Sequence, residues 1–177
     1  MNEEEYSYGC YEKSEEEFAQ AVANLIIDRE EYNPFVLYGA DCEGRDQILD
    51  AIAFASRRGH STDVFIWKTC DDFTKELISA ISTGKTKTNE FRKKYREARL
   101  LILTQLEELS GRETSQQELY FILEKRVEKN RQTVFTSNGS PREIAGLEDR
   151  ILAHFYGGVV LPLNGPGFVL EDNMENQ

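Results

Sequence analysis

A chain of 177 residues fits one domain with room for a substantial core, and its 40% hydrophobic and 30% charged residues are ordinary for a globular protein. The net charge of −11, from 32 acidic against 21 basic residues, would repel free DNA unless a local basic patch overcame it. No apolar run approaches the ~20 residues of a membrane span, and MNEEEYSYG at the N-terminus lacks the basic-then-apolar order of a signal peptide. Cys10, Cys42 and Cys70 are scattered without ligand spacing, and His60 and His154 are far apart in the chain. Reduced thiols, a cytoplasmic location and no metal site are the expectation.

Strand-like and helix-like segments alternate along the chain. Ser14 with Glu17 forms a capping box ahead of Phe18, Val22, Leu25 and Ile26. Phe35–Tyr38 reads as a buried strand, and 47–58 as a helix with Ile48, Ala51, Ile52 and Ala55 on one face, ended by Gly59. Val64–Trp67 reads as a second buried strand. Asp71 or Asp72 can cap the next helix, whose apolar face is Phe73, Leu77, Ile78 and Ile81. A basic stretch, Phe91 to Arg96 extended by Lys85, Lys87 and Arg99, reads first as a solvated helix face anchored by Phe91 and Tyr95, and second as a nucleic-acid contact. Leu100–Leu103 is a third strand. Ser115 and Glu118 make a capping box before Leu119, Ile122, Leu123 and Val127. Thr133–Thr136 is the fourth strand, Ser140-Pro141-Arg142-Glu143 starts a helix, and Gly158–Leu161 is the fifth strand. Continuous apolar strands between amphipathic helices imply a parallel sheet covered on both faces. The division expected is an acidic segment 1–10, an α/β domain 11–163 and a flexible acidic tail 164–177.

The first strand leads into YGADCEGRDQ, in the strand, loop and helix frame of G-x-x-x-x-G-K-[ST]. Gly39 and Gly44 keep the glycine spacing. Arg45 stands where lysine would reach the β/γ-phosphates, and Asp46 where a hydroxyl would bind magnesium. Asp41 and Glu43 add carboxylates to a loop meant to cradle polyphosphate, and like charges at ~4 Å cost roughly 4 kcal/mol at an effective dielectric of ~20.

Five segments, in order and in register, resemble the AAA+ domain of the bacterial replication initiator family, DnaA: Asn33–Gly39, Phe91–Arg96 with Leu101 and Ile102, Glu113–Leu119, Thr136–Ile144, and Leu147–Ile151 with Phe155 and Gly157. The resemblance runs from about Tyr11 to Leu163. It implies a three-layer P-loop NTPase core with a five-stranded parallel sheet in the order 5-1-4-3-2. It also implies that Thr104 and Gln105 occupy the positions of the magnesium-holding aspartate and the acid that orients water. Asn138 corresponds to the sensor-1 acid, Gly139 to the arginine after it, and His154 to the arginine finger. Arg150 matches a family arginine and is expected to pair within its own motif. Glu107 and Glu108 fall beyond the strand end and do not replace the lost acids. The family continues past Leu163 with a helical lid and a helix-turn-helix domain. Here Asn-Gly-Pro-Gly and an acidic tail come next, and a natural short protein lacking both is expected.

With these positions altered and the strand and cap signals intact, the expectation is a non-catalytic paralogue in DNA replication, a pseudo-ATPase acting by protein interaction. Its expected partner is the initiator itself or a helicase or loader component, without direct DNA binding or membrane association. No cofactor is expected. The alternative is weak ATP or ADP binding without hydrolysis, through Arg45 and the N–H groups at the helix start.

Overall fold

The structure, a computed structural model, describes Ala23, residues 32–39, 42–57 and 65–163, with side chains from 45 to 55 in the second stretch. The acidic segment 1–10, the Ser14 capping box, Asp41, the side chain of Glu43 and the tail 164–177 lie outside the described residues.

Five strands, β1 (Phe35–Tyr38), β2 (Phe65–Thr69), β3 (Leu100–Thr104), β4 (Thr133–Ser137) and β5 (Val159–Pro162), form one sheet in the order β2-β3-β4-β1-β5. Every pairing is parallel, and the order is the expected 5-1-4-3-2. Among the described residues five α-helices connect them: α1 (Cys42–Arg57), α2 (Cys70–Thr83), α3 (Lys85–Glu97), α4 (Glu113–Glu128) and α5 (Asp149–Gly157). Successive strand residues face opposite sides, so each apolar run serves two cores. Val36, Leu101, Leu103 and Phe135 pack with Phe73, Tyr95, Ile122 and Phe155 on one side. Phe35, Leu37, Ile102 and Val134 pack with Ile48, Leu49 and Ile52 on the other. Burying each such side chain fully is worth about 1.5–3 kcal/mol.

α3 bears out the anchored-helix reading of the basic stretch. Phe91 and Tyr95 are buried, with ring centroids 5.3 and 5.0 Å from Phe73 and 4.6 Å from each other. Tyr95 Oη donates to Glu76 at 2.9 Å. Burial first and the Glu76 carboxylate second hold the phenol above its ordinary pKa.

Other local expectations are corrected. α1 begins at Cys42, five residues earlier than expected, so Gly44 lies in its first turn rather than in a loop. α2 is capped by Thr69, whose Oγ1 accepts from Asp72 N at 3.0 Å. Asp71 instead pairs with Arg112 at 2.8 Å and Lys75 at 2.5 Å. Ile78 and Ile81 are 60% and 47% exposed, off the buried face. Ser115 lies inside α4 rather than capping it, and Glu118 accepts two bonds from Arg92, each 2.7 Å. Ser140 makes no side-chain cap bond. It leads only into a short 3-10 turn, Pro141–Glu143, and α5 starts at Asp149.

One buried polar centre had no sequence signal. Arg126, on α4, is completely buried. Its Nε donates to Thr133 Oγ1 at 2.9 Å, Nη1 to Tyr95 O at 2.7 Å and Ala98 O at 2.6 Å, and Nη2 to Gln132 O at 2.6 Å. The fork thereby ties the end of α3 and the start of β4 to α4. Burial, then repulsion from Arg131, pulls its pKa down to about 9, which leaves it charged at neutral pH.

Candidate functional site

The carboxyl ends of β1, β3 and β4 lie side by side in the sheet, and most residues singled out in the sequence converge there. Such ends are where ligands bind in open parallel sheets. Gly39 follows β1 at φ +150°, and its N–H donates to Ser137 O at 3.1 Å. A Cβ on Gly39 would sit 2.2 Å from Leu163 O, because Leu163 N reaches back to Tyr38 O at 2.6 Å. This glycine is therefore demanded by a close backbone approach within the protein itself.

Arg45 is the fourth residue of α1, and side chains on a helix lean toward its N-terminus. That direction carries the guanidinium across the strand ends. Nη1 lies 3.3 Å from Gly39 O, 3.3 Å from Ser137 O and 3.1 Å from Asn138 Oδ1. Arginine at this position thus faces three acceptors supplied by the protein. Asp46, next to it, is exposed.

Thr104 ends β3 half-buried, with its hydroxyl 3.5 Å from Lys68 O. Gln105 is exposed and left-handed, at φ 62° and ψ 59°, and starts the 3-10 turn Leu106–Leu109. That turn carries two acids whose reach could not be read in the sequence. Glu107 Oε1 accepts from Asn138 N, while its Oε2 is enclosed without a partner. Glu108 Oε2 accepts from Asp71 N at 2.7 Å. Arg45, Asn138 and Glu107 thus form one polar chain across the ends of β1 and β4. Glu107 lies beyond the strand, as expected, but closer to the site than its sequence position suggests.

His154 is not brought to this cluster by the chain's own fold. It lies on α5 facing α4, with Nε2 3.3 Å from Glu124 Oε1 and its ring 5.1 Å from that of Tyr120, edge-on. Arg150 pairs with Glu148 and covers the Tyr120 ring at 5.2 Å. Gln116 braces this side of the domain, donating to Leu109 O at 2.8 Å and Gly146 O at 2.7 Å and accepting from Glu148 N at 2.7 Å.

Beside the turn, the buried Cys70 thiol is pushed well above its ordinary pKa by burial first, then by Glu108 and Glu107. Thiolate is the reactive form. In a Cys10→Ser, Cys42→Ser background, Ellman's reagent is expected to leave the native protein unmodified and to titrate one thiol after denaturation. Among the described residues no group of three or more His, Cys, Asp or Glu is placed to hold a metal ion. None of the described helices is long and apolar enough to cross a membrane.

A parallel sheet in this order, with a strand, a glycine bend and a helix next to its central strand, defines the class as an AAA+ P-loop α/β domain. The chain belongs to the bacterial DnaA ATPase domain family, whose pattern matches residues 3–162. The chromosomal replication initiator protein DnaA of Borrelia garinii is 30% identical over 151 residues, covering 84% of this chain and 31% of that protein. The chain thus spans about a third of the length of the curated relatives it matches. AMPPCP-bound DnaA from Aquifex aeolicus is 27% identical with a TM-score of 0.70, covering 80% of this chain and 44% of that one. Domain III of the Thermotoga maritima replication initiation protein DnaA has a TM-score of 0.76 at 24% identity, over 86% of this chain and 63% of that one, a likeness of fold. The protein is a DnaA-like AAA+ domain related to replication initiation.

Proposed function

We propose that this domain acts in replication initiation by binding another protein, without hydrolysing ATP. The observation that supports this most directly is the Arg45 guanidinium, turned onto Gly39 O, Ser137 O and Asn138 Oδ1 at the position where a phosphate-binding lysine is needed. Magnesium fits the neighbouring residues poorly, because Thr104 and Gln105 offer no carboxylate and Asp46 replaces the hydroxyl. Each missing electrostatic element of this kind typically removes ~10²–10³ in rate.

Steady-state phosphate release with magnesium and ATP is expected to stay at buffer background, and calorimetry to show no micromolar binding of ATP or ADP. Arg45→Lys with Asp46→Thr is not expected to restore binding while Asp41 and Glu43 remain in the loop. Release above background that is lost in Arg45→Ala would overturn the reading.

The partner that best suits a retained fold with altered chemistry is a replication protein carrying a related AAA+ face. His154 offers a neighbour's nucleotide no permanently charged fork, so this domain would cap an initiator assembly. Adding it is expected to shorten ATP-dependent initiator assemblies on DNA in a dose-dependent way. His154→Arg, checked by thermal melt for intact packing beside Tyr120, is expected to weaken that effect. Assemblies unchanged at excess, with no replication protein co-purifying, would refute the replication role.

A further inference from the structure

The C-terminal halves of α3 and α4 enclose a groove of about 340 Å³. Its cationic walls are Arg92, Lys93 and Arg96 from α3 with Lys125 and Lys129 from the end of α4, and Glu97 is the one acid among its lining residues. Two of these cations are already engaged. Arg92 holds Glu118 through two 2.7 Å bonds, and Lys125 holds Glu128 at 2.8 Å. Lys93, Arg96 and Lys129 have no carboxylate partner among the described residues, and the Arg96 Nε–H is enclosed without an acceptor.

Cations at helix C-termini ordinarily offset the helix dipole, and that ordinary role accounts for part of the cluster. Each helix end carries about half a negative charge, so two ends and Glu97 together supply roughly two. Against them stand Lys93, Arg96, Lys129 and the charged Arg126 buried at the end of α4. A positive surplus therefore remains, on a chain whose net charge is −11.

We propose that this groove binds a short acidic segment of a partner protein, its carboxylates meeting Lys93, Arg96 and Lys129. A nucleic-acid strand suits it less. Affinity for such a strand grows with each phosphate neutralised, and three free cations neutralise few, while the surrounding acidic surface repels a long polyanion. A short acidic segment brings only the charges the groove can match. The proposal stands on the α3–α4 face alone, so it holds or fails whether or not nucleotide binds at Gly39.

The test is a polarisation titration of fluorescein-labelled hexaglutamate with the full chain, at low salt and at ~0.15 M. Saturable binding is expected, weakening with salt and about tenfold weaker for Lys93→Glu with Lys129→Glu, the scale of a reversed interfacial charge pair. Both lysines are exposed, and circular dichroism melts would establish that the variant folds. Should the double variant misfold, Lys129→Ala alone is expected to weaken binding measurably. Lys85→Glu with Lys87→Glu, at the other end of α3, is expected to bind like the wild type. Absence of saturable binding, equal binding by the groove variants, or tighter binding of an oligothymidylate of equal charge would each overturn the proposal.

Discussion

Arg126→Met is expected to cost about 3–5 kcal/mol in urea denaturation, because four buried acceptors lose their donors together. Methionine fills much of the same volume, so lost packing contributes little. The loss comes from Tyr95 O, Ala98 O, Gln132 O and Thr133 Oγ1, which would face a thioether with no donor. A buried polar group left unsatisfied costs roughly 1–3 kcal/mol, and the neighbours can relax to recover some of that. Domains of this size are stable by only about 5–15 kcal/mol, so the variant should lose a large share of its stability. Arg126→Lys should fall between the two, because one ammonium with three donors cannot span acceptors placed for a planar fork. An unchanged midpoint for Arg126→Met would mean that these acceptors find water instead.

Two adjacent glycines at the end of α5 are expected to respond oppositely to alanine. A Cβ on Gly158 would lie 2.0 Å from Pro34 O, 2.7 Å from Pro34 N and 2.9 Å from Pro34 C, all backbone atoms. It would push β5 off β1 at the point where Val159 N donates to Pro34 O at 2.9 Å. Overpacking against such unyielding atoms costs about 3 kcal/mol. A Cβ on Gly157 meets nothing within 4 Å, so Gly157→Ala should be neutral or stabilise by up to ~1 kcal/mol through lost freedom of the unfolded chain. Urea midpoints of the two variants, measured side by side, check both outcomes.

The strands were legible because parallel strands buried on both faces are runs of apolar or β-branched and aromatic residues, as in Leu100–Leu103 and Thr133–Thr136. Their spatial order came from the family resemblance, since an apolar run does not reveal its neighbour. Side-chain roles were less legible where one residue type serves two purposes. Glu118 after Ser115 matches a capping box, yet it pairs with Arg92 from a helix 26 residues away in sequence. Arg126 reads as one more solvated charge on α4, and only its carbonyl partners, brought together by α3 and β4, explain its burial. Ile78 and Ile81 have helical spacing with Phe73, but the core is filled by Leu77 and α3, which leaves both outside. At the site, the spacing of Gly39, Gly44 and Arg45 carried the frame. The aim of Arg45 depends on α1 starting at Cys42, and the reach of Glu107 depends on the left-handed turn at Gln105, neither of which has a sequence signature.

Trp67 is the chain's one tryptophan. It sits on β2, at the end of the sheet opposite β5, 38% exposed and with its ring 6.4 Å from that of Phe65. The intrinsic fluorescence of this protein is therefore a local gauge of one sheet margin rather than of the interior. Its emission should already be partly red-shifted in the native state and should change modestly on unfolding. A protein docking along β2 would shift it to the blue, whereas events at the Gly39 loop or in the α3–α4 groove would leave the colour of the emission unchanged.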